Sequence, residues 1–171
     1  MITLRKLSFL ALVMALPTLV FAVQINEIRI DNVSGDTDEF FELVGDPFES
    51  LDGLTYVVIG DGAGGSGTIE NATDLTGLAL KENGILAVHK EGTVPVCLGY
   101  DVDLPLNFEN SDNVTHLLVR DFTGAVDDDL DIEDDGILDY EPWSEMVDCV
   151  ALVEEDPMGP DFPLGEWIYC D

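Results

Sequence analysis

Apolar positions along this chain fall in short runs rich in β-branched and aromatic residues, and Gly, Asn, Asp or Pro closes nearly every run. Such punctuation is the mark of strands joined by turns, and no apolar stretch sustains a helical period. The pattern predicts strands over Gln24 to Ile30, Glu39 to Val44, Leu54 to Ile59, Gly67 to Asn71, Ile85 to His89, Val114 to Arg120 and Met146 to Val153. Trp167 to Cys170 is a further candidate. Several short strands of this kind predict an all-β fold, an antiparallel β-sandwich of about seven to nine strands.

Individual runs refine that picture. Tyr56, Val57, Val58 and Ile59 form an unbroken apolar series, as expected of a central strand. In Glu39 to Val44 apolar residues lie on both faces, with Phe40 and Val44 on one and Phe41 and Leu43 on the other. That suits a strand covered on both sides, or one at a sheet edge beside a loop. Lys81-Glu82-Asn83-Gly84 ends in an Asn-Gly pair suited to positive φ, and Asn110-Ser111-Asp112-Asn113 separates Phe108 from the strand at Val114. Both are expected to be hairpin connections.

The N-terminus changes the compartment expected for the chain. Arg5 and Lys6 precede an apolar run from Leu7 to Phe21 that ends in Val20-Phe21-Ala22, the pattern of a signal helix and its cleavage site. The run is broken by Pro17 and is short beside the roughly 20 residues of a membrane span. Residues 1–22 are therefore read as a signal peptide, and 23–171 as one secreted or cell-surface domain without a membrane span.

Composition adds an extreme charge: 36 Asp and Glu stand against six Lys and Arg, two of which leave with the leader. Such a surface repels nucleic acid and anionic lipid, so neither is expected as a direct partner. A hydrophobic share of 46% argues against disorder, so something must offset the self-repulsion of the folded state. Bound divalent cations and a saline habitat both remain open. Of the cysteines Cys97, Cys149 and Cys170, one pair is free to form a disulfide in an oxidising compartment, and spacing does not say which. The odd count, with a chain that stops just after Trp167-Ile168-Tyr169-Cys170, also leaves open a fragment whose further cysteine lies beyond Asp171.

Acids gather between Asp127 and Asp139, inside a connection over 121–145 that is longer than loops usually are and has few apolar anchors. Within it Asp131, Glu133, Asp135, Gly136 and Asp139 follow the order Asp-x-Glu-x-Asp-Gly-x-x-Asp. Oxygens at alternate positions turn toward one cation, and Gly permits the sharp bend. All-oxygen donors with no His or Cys nearby point to calcium, with Asp131, Glu133 and Asp135 as side-chain ligands, Ile137 offering its carbonyl, and Asp139 binding directly or through water. The stretch resembles the calcium loops of thrombospondin type-3 repeats and dockerins and the start of an EF-hand. It departs from them at Glu133, where Asp or Asn is usual, and at Pro142, where an EF-hand has a bidentate Glu; Glu141 is one place off. These departures predict a weak, extracellular type of site. The bland alternative is a solvated acidic loop kept extended by its own charge.

Three motifs carry a wider resemblance: Ile25-Asn26-Glu27-Ile28, then Asp36-Thr37-Asp38-Glu39-Phe40-Phe41-Glu42-Leu43, then Ser50-Leu51-Asp52-Gly53-Leu54-Thr55. Together with Leu106-Asn107-Phe108-Glu109-Asn110-Ser111-Asp112-Asn113-Val114, they make the chain resemble a lamin-tail domain of the bacterial secreted type, from about Ile25 to Val153. The resemblance implies an immunoglobulin-like sandwich with no catalytic centre, often found beside hydrolase or nuclease domains, with the acidic loop as an insertion.

Other constellations weigh little. Gly62-Ala63-Gly64-Gly65-Ser66-Gly67 has the spacing of a dinucleotide-binding loop, yet a β-branched stretch follows where a helix must begin, so a flexible interstrand loop is expected. His89 and His116 lie in strands without a nucleophile at motif spacing, and Cys149 lies in an apolar strand. Carboxylate pairs such as Glu27 and Glu42 arise readily among so many acids. Asn32-Val33-Ser34, Asn71-Ala72-Thr73 and Asn113-Val114-Thr115 are sugar acceptors only on a eukaryotic secretory route. The expected function is a non-catalytic interaction or structural module with an extracellular protein or surface as partner. The alternatives are an accessory domain of a larger secreted hydrolase or nuclease, and a stand-alone enzyme using a metal in the acidic cluster.

Overall fold

A computed structural model of the chain describes residues 22–30, 38–92, 101–108, 113–153 and 167–170. Residues 1–21 of the leader, the sequon at Asn32 and Cys97 thus lie outside the described residues. Every regular element described is a strand: β1 (Gln24–Arg29), β2 (Phe40–Val44), β3 (Leu54–Gly60), β4 (Thr68–Asp74), β5 (Ile85–Lys90), β6 (Val102–Leu104), β7 (Val114–Arg120) and β8 (Glu145–Leu152). Among the described residues no helix is long and apolar enough to cross a membrane. The all-β sandwich expected from the apolar pattern is the fold found.

Two four-stranded sheets face each other, in the orders β1-β2-β5-β6 and β4-β3-β7-β8. All pairings are antiparallel except β5 with β6, where Val88 stands beside Val102 in a parallel register. β6 is only three residues long and abuts Pro105, so it left no readable alternation. Trp167 to Cys170, by contrast, joins neither sheet. β3 is central as expected, whereas β2 lies between β1 and β5 and is not an edge.

The predicted turn at Lys81 to Gly84 does not close a hairpin, and Asn110 to Asp112 of the other lie outside the described residues. Lys81-Glu82-Asn83-Gly84 is a tight turn, with Gly84 at φ +75° and its N–H donating to the Lys81 carbonyl at 2.9 Å. It leads into β5, however, from β4 in the other sheet, and β6 and β7 are likewise in different sheets. Local turn chemistry set the bend, and burial on both sheets chose the strand that followed.

Alternate residues of facing strands fill the space between the sheets: Phe41 and Leu43 of β2, Leu86 and Val88 of β5, Leu54, Tyr56 and Val58 of β3, and Val114 and Leu118 of β7. Phe41 and Tyr56 stack with centroids 3.8 Å apart. The other face of β3 and β7 is equally apolar, and Val57, Ile59, Ile69, Leu117 and Val119 there pack beneath Leu130, Trp143 and Tyr169. β3 is consequently buried along its whole length. The segment 121–145 is therefore better anchored than its composition suggested, because Leu130 is fully buried and Phe122 and Leu138 pack beside it.

Polar groups on or beside the strands are placed in two ways, buried and exposed. Asn71 donates to the Pro105 carbonyl at 3.4 Å and accepts from the Thr73 hydroxyl, while Asn113 is 1% exposed. Two of the three sequons are thus closed to sugar transfer once the chain has folded. Glu27 and Glu42 stand directly opposite across β1 and β2, and the Asn26 amide is hydrogen-bonded to Glu42.

His116 points into the sandwich core, its Nδ1 2.9 Å from the Tyr56 hydroxyl and the edge of Phe108 against its ring. Its Nε2 is buried with no hydrogen-bond partner. Burial holds its pKa down, to about 3. A base whose folded pKa lies below its unfolded value binds fewer protons when folded, so its neutral burial stabilises fully above pH ~6.5 and is lost as pH falls toward 3.

Two outcomes follow from this packing. Leu130→Ala is expected to lower the unfolding free energy by about 2–5 kcal/mol, the usual cost of a vacated leucine site, read by urea denaturation. His116→Asn, which keeps a polar partner for Tyr56, is expected to flatten the acid side of the stability profile. Between pH 6 and 4 the wild type should lose about 1.4 kcal/mol per pH unit more than this variant.

Candidate functional site

The chain leaves β7 at Arg120 and builds the acidic segment largely from its own carboxylates. Asp121, Asp127 and Asp134 adopt positive φ, which Asp tolerates better than most side chains. Asp128 Oδ2 accepts the Ala125 N–H at 2.8 Å, and Asp129 Oδ1 accepts that of Asp131 at 3.2 Å. Residues 127–130 then run along β4. Asp127 N–H donates to the Ile69 carbonyl, Ile69 N–H to the Asp128 carbonyl and Leu130 N–H to the Gly67 carbonyl. The open edge of the sheet is covered in this way.

Beyond Leu130 the nine-residue loop Asp131 to Asp139 closes at its neck, where the Asp139 N–H donates to the Leu130 carbonyl at 2.7 Å. The Asp131 carboxylate is fully buried inside it. Its Oδ1 accepts the Asp135 N–H at 3.0 Å, and its Oδ2 accepts the Gly136 N–H and the Tyr169 hydroxyl, each at 2.8 Å. Gly136 sits at φ +84°, as the expected bend requires. Asp139 Oδ2 takes the Ile132 N–H, and Asp135 Oδ1 takes that of Ile137. The side chains of Glu133, Asp135 and Asp139 remain exposed, and Ile137 is 70% exposed.

Glu133 and Asp139 approach one another. The negative charge of Asp139, and a hydrogen bond with it, push the Glu133 carboxyl above its ordinary pKa. The five sequence-derived ligand residues are thus on one small loop, of which Asp131 is turned inward and Glu133 and Asp139 are brought together. Among the described residues, no three His, Cys, Asp or Glu side chains gather closely enough to hold a metal ion. The donors are all hard oxygens, as calcium requires, and a divalent cation would relieve the Glu133–Asp139 repulsion; a third carboxylate has to swing in.

Two neighbouring elements that the sequence did not connect with this loop form its walls. The first is the glycine run between β3 and β4, which is not a loose connection but a close-packed one. A Cβ at Gly67 (φ +90°) would lie 2.6 Å from Asp131 Cβ and 2.9 Å from its backbone N, and one at Gly65 would meet Asp134. The second is the strap Trp167 to Cys170. Its Cys170 is disulfide-bonded to Cys149 of β8, which resolves the pairing and leaves neither thiol available as a nucleophile.

Strap and glycine run share a directed hydrogen-bond chain. Trp167 N–H donates to Ser66 Oγ at 3.0 Å, Ser66 Oγ lies 2.9 Å from the Tyr169 hydroxyl, and that hydroxyl donates to Asp131. Since Tyr169 spends its single proton on a carboxylate, the Ser66 hydroxyl must be the donor to Tyr169. Burial raises the Tyr169 pKa, so the proton stays in place. In the sequence, Trp167 to Cys170 reads only as a further candidate strand, with nothing to link it to the loop.

Between loop, strap and β8 runs a groove of about 460 Å³ whose lining includes Ile137, Leu138, Met146 and Ile168. Another groove of about 480 Å³ opens beside Thr55, Asp74, Asp121 and Phe122, but its carboxylates are already hydrogen-bonded. Asp74 accepts the Thr76 N–H and Asp121 the Ser144 hydroxyl.

Fold and loop together define the class: an all-β sandwich with a packed acidic loop on the outer face of one sheet. No protein-family model matches the chain, and no curated protein matches it either. Because Gly67 combines positive φ with contact against the Asp131 backbone, Gly67→Ala is expected to lower stability by more than about 1 kcal/mol, measured by thermal unfolding.

Proposed function

We propose that this chain is a secreted or cell-surface interaction module of the lamin-tail type, without catalytic activity, whose acidic loop binds calcium weakly. The observation that carries the reading is that the loop is built and anchored while its functional side chains face solvent. Leu130 and Asp131 are fully buried, yet Glu133, Asp135 and Asp139 are exposed beside Ile132 and Ile137, exposed by 64% and 70%. Carboxylates and large apolar side chains sharing one exposed loop suit a contact surface. A disulfide suits an oxidising compartment, in keeping with the signal peptide read from 1–22.

Calcium enters this reading through the order of oxygens in Asp131, Glu133, Asp135, Ile137 and Asp139 and through the crowding of Glu133 on Asp139. Dissociation constants on the order of 10⁻⁴ to 10⁻³ M are expected of such an extracellular site. Tenfold excess calcium would then add about 1.4 kcal/mol of stability.

Titration calorimetry tests this. The wild type is expected to release or absorb heat with calcium in the millimolar range and little with magnesium, and Asp135→Ala and Asp139→Ala to abolish the signal. Asp131 is left intact because its carboxylate is fully buried and takes three donors, whereas those of Asp135 and Asp139 take one loop N–H each and stay exposed. A wild type silent to calcium would remove the ion from the proposal. The acid Glu133, with its pKa raised in the folded state, costs stability once ionised and returns it as pH falls. Glu133→Gln is therefore expected to raise the melting temperature at neutral pH without calcium and to weaken calcium binding.

A further inference from the structure

The strap Trp167 to Cys170 joins neither sheet, yet it touches the acidic loop at both of its critical points. Trp167 Nε1 donates to the Asp134 carbonyl at 2.8 Å, and the indole lies so close over Gly136 that a Cβ there would be 2.7 Å from the ring. Tyr169 reaches the other point with its hydroxyl on Asp131. The strap's own anchors are the Tyr169 N–H to Thr115 Oγ1 at 3.0 Å, the Trp167 N–H to Ser66 and the covalent bond from Cys170 to Cys149.

The loop needs such support. Residues 131–139 contain five acids and no base, so their mutual repulsion favours an open chain, while the turn requires one carboxylate to accept two backbone N–H groups at once. Held apart from solvent, Asp131 is fixed only as firmly as the groups around it. Hydrogen bonds of the strap act on it as neighbours in one molecule, and the disulfide keeps their effective concentration high.

We infer that the Cys149–Cys170 disulfide is the latch of this loop: through Trp167 and Tyr169 it holds Asp131 to Asp139 folded without metal, and so sets the loop's readiness for calcium. Trp167 and Tyr169 are positioning residues here, acting on Asp131, Asp134 and Gly136. The part concerning calcium rests on the function proposed above, and the part concerning loop shape does not.

Amide hydrogen exchange on the full chain separates the two. Four amides report the loop: Ile132, Asp135, Gly136 and Ile137, each a donor to a loop carboxylate. Exchange is followed with and without calcium chloride in the oxidised chain, in the chain reduced with dithiothreitol, and in Cys149→Ser/Cys170→Ser, which also avoids exchange with Cys97. The dithiol supplies two electrons and two protons to give two thiols and closes to its own cyclic disulfide.

Without calcium the oxidised loop is expected to be protected, and opening the disulfide to speed its exchange by about tenfold or more while the β3 amides keep their protection. Calcium restores protection in the opened chain, and its dissociation constant there is larger by about tenfold, the cost of ordering a loop that the disulfide otherwise keeps ordered. Equal loop protection with and without the disulfide overturns the latch and leaves calcium binding standing. A latch effect that calcium alters in neither state upholds the latch and removes calcium. Should opening the bond also unprotect β3, Tyr169→Phe decides, because it keeps ring and disulfide and removes only the donor to Asp131. Faster exchange confined to Asp135 and Gly136 supports the inference, and no change refutes it.

Discussion

Val57, Ile59, Ile69, Leu117 and Val119 place the outer face of the β4-β3-β7-β8 sheet under the same demand for cover as its inner face. Apolar area costs about 25 cal/mol for each Å² left in water, so a second sheet face of this kind cannot stay open. The cover comes from the least expected part of the chain. Leu130, Trp143 and Tyr169 descend onto the sheet from an acidic segment and a short strap, and everything distinctive about the molecule follows from how these two are held down.

An acid-rich segment can do this because its carboxylates are put to use in opposite ways. Some accept backbone N–H groups, as Asp128, Asp129, Asp131, Asp135 and Asp139 do, and these act as the internal caps that a compact loop needs. Others remain in water, where their charge is cheap to solvate. Burying Asp131 is tolerable only because three donors converge on it. Among the described residues only one cation touches the segment, Arg120 with Glu145 at its base; Arg29 pairs with Asp38, Lys90 with the buried Glu39 and Lys81 with Asp101.

Hydrogen bonding then joins three stretches far apart in sequence. Trp167, Ser66 and Tyr169 form one chain of donors that ends on the Asp131 carboxylate, and the disulfide ties its strap end to β8. In the chain-entropy account a bridge spanning 21 residues is worth about 3 kcal/mol to the fold. Its second role is geometric, since it keeps Trp167 over Gly136 and so keeps the loop turned back on itself.

The sequence by itself determined seven of the eight described strands, all but β6, because the apolar pattern and β-branched content of a run are local properties of the chain. It also determined the bends at Gly84 and Gly136, where positive φ is written into the residue type, and the location of the acidic loop with the order of its oxygens. Only the tertiary structure decided which strand pairs with which, the parallel seat of β6, and the partner of Cys149, since each depends on surfaces brought together from distant positions. The same holds for Asp131. Its spacing reads as one carboxylate among several, and only the packing of Gly67, Ser66 and Tyr169 around it makes it the buried pivot of the loop.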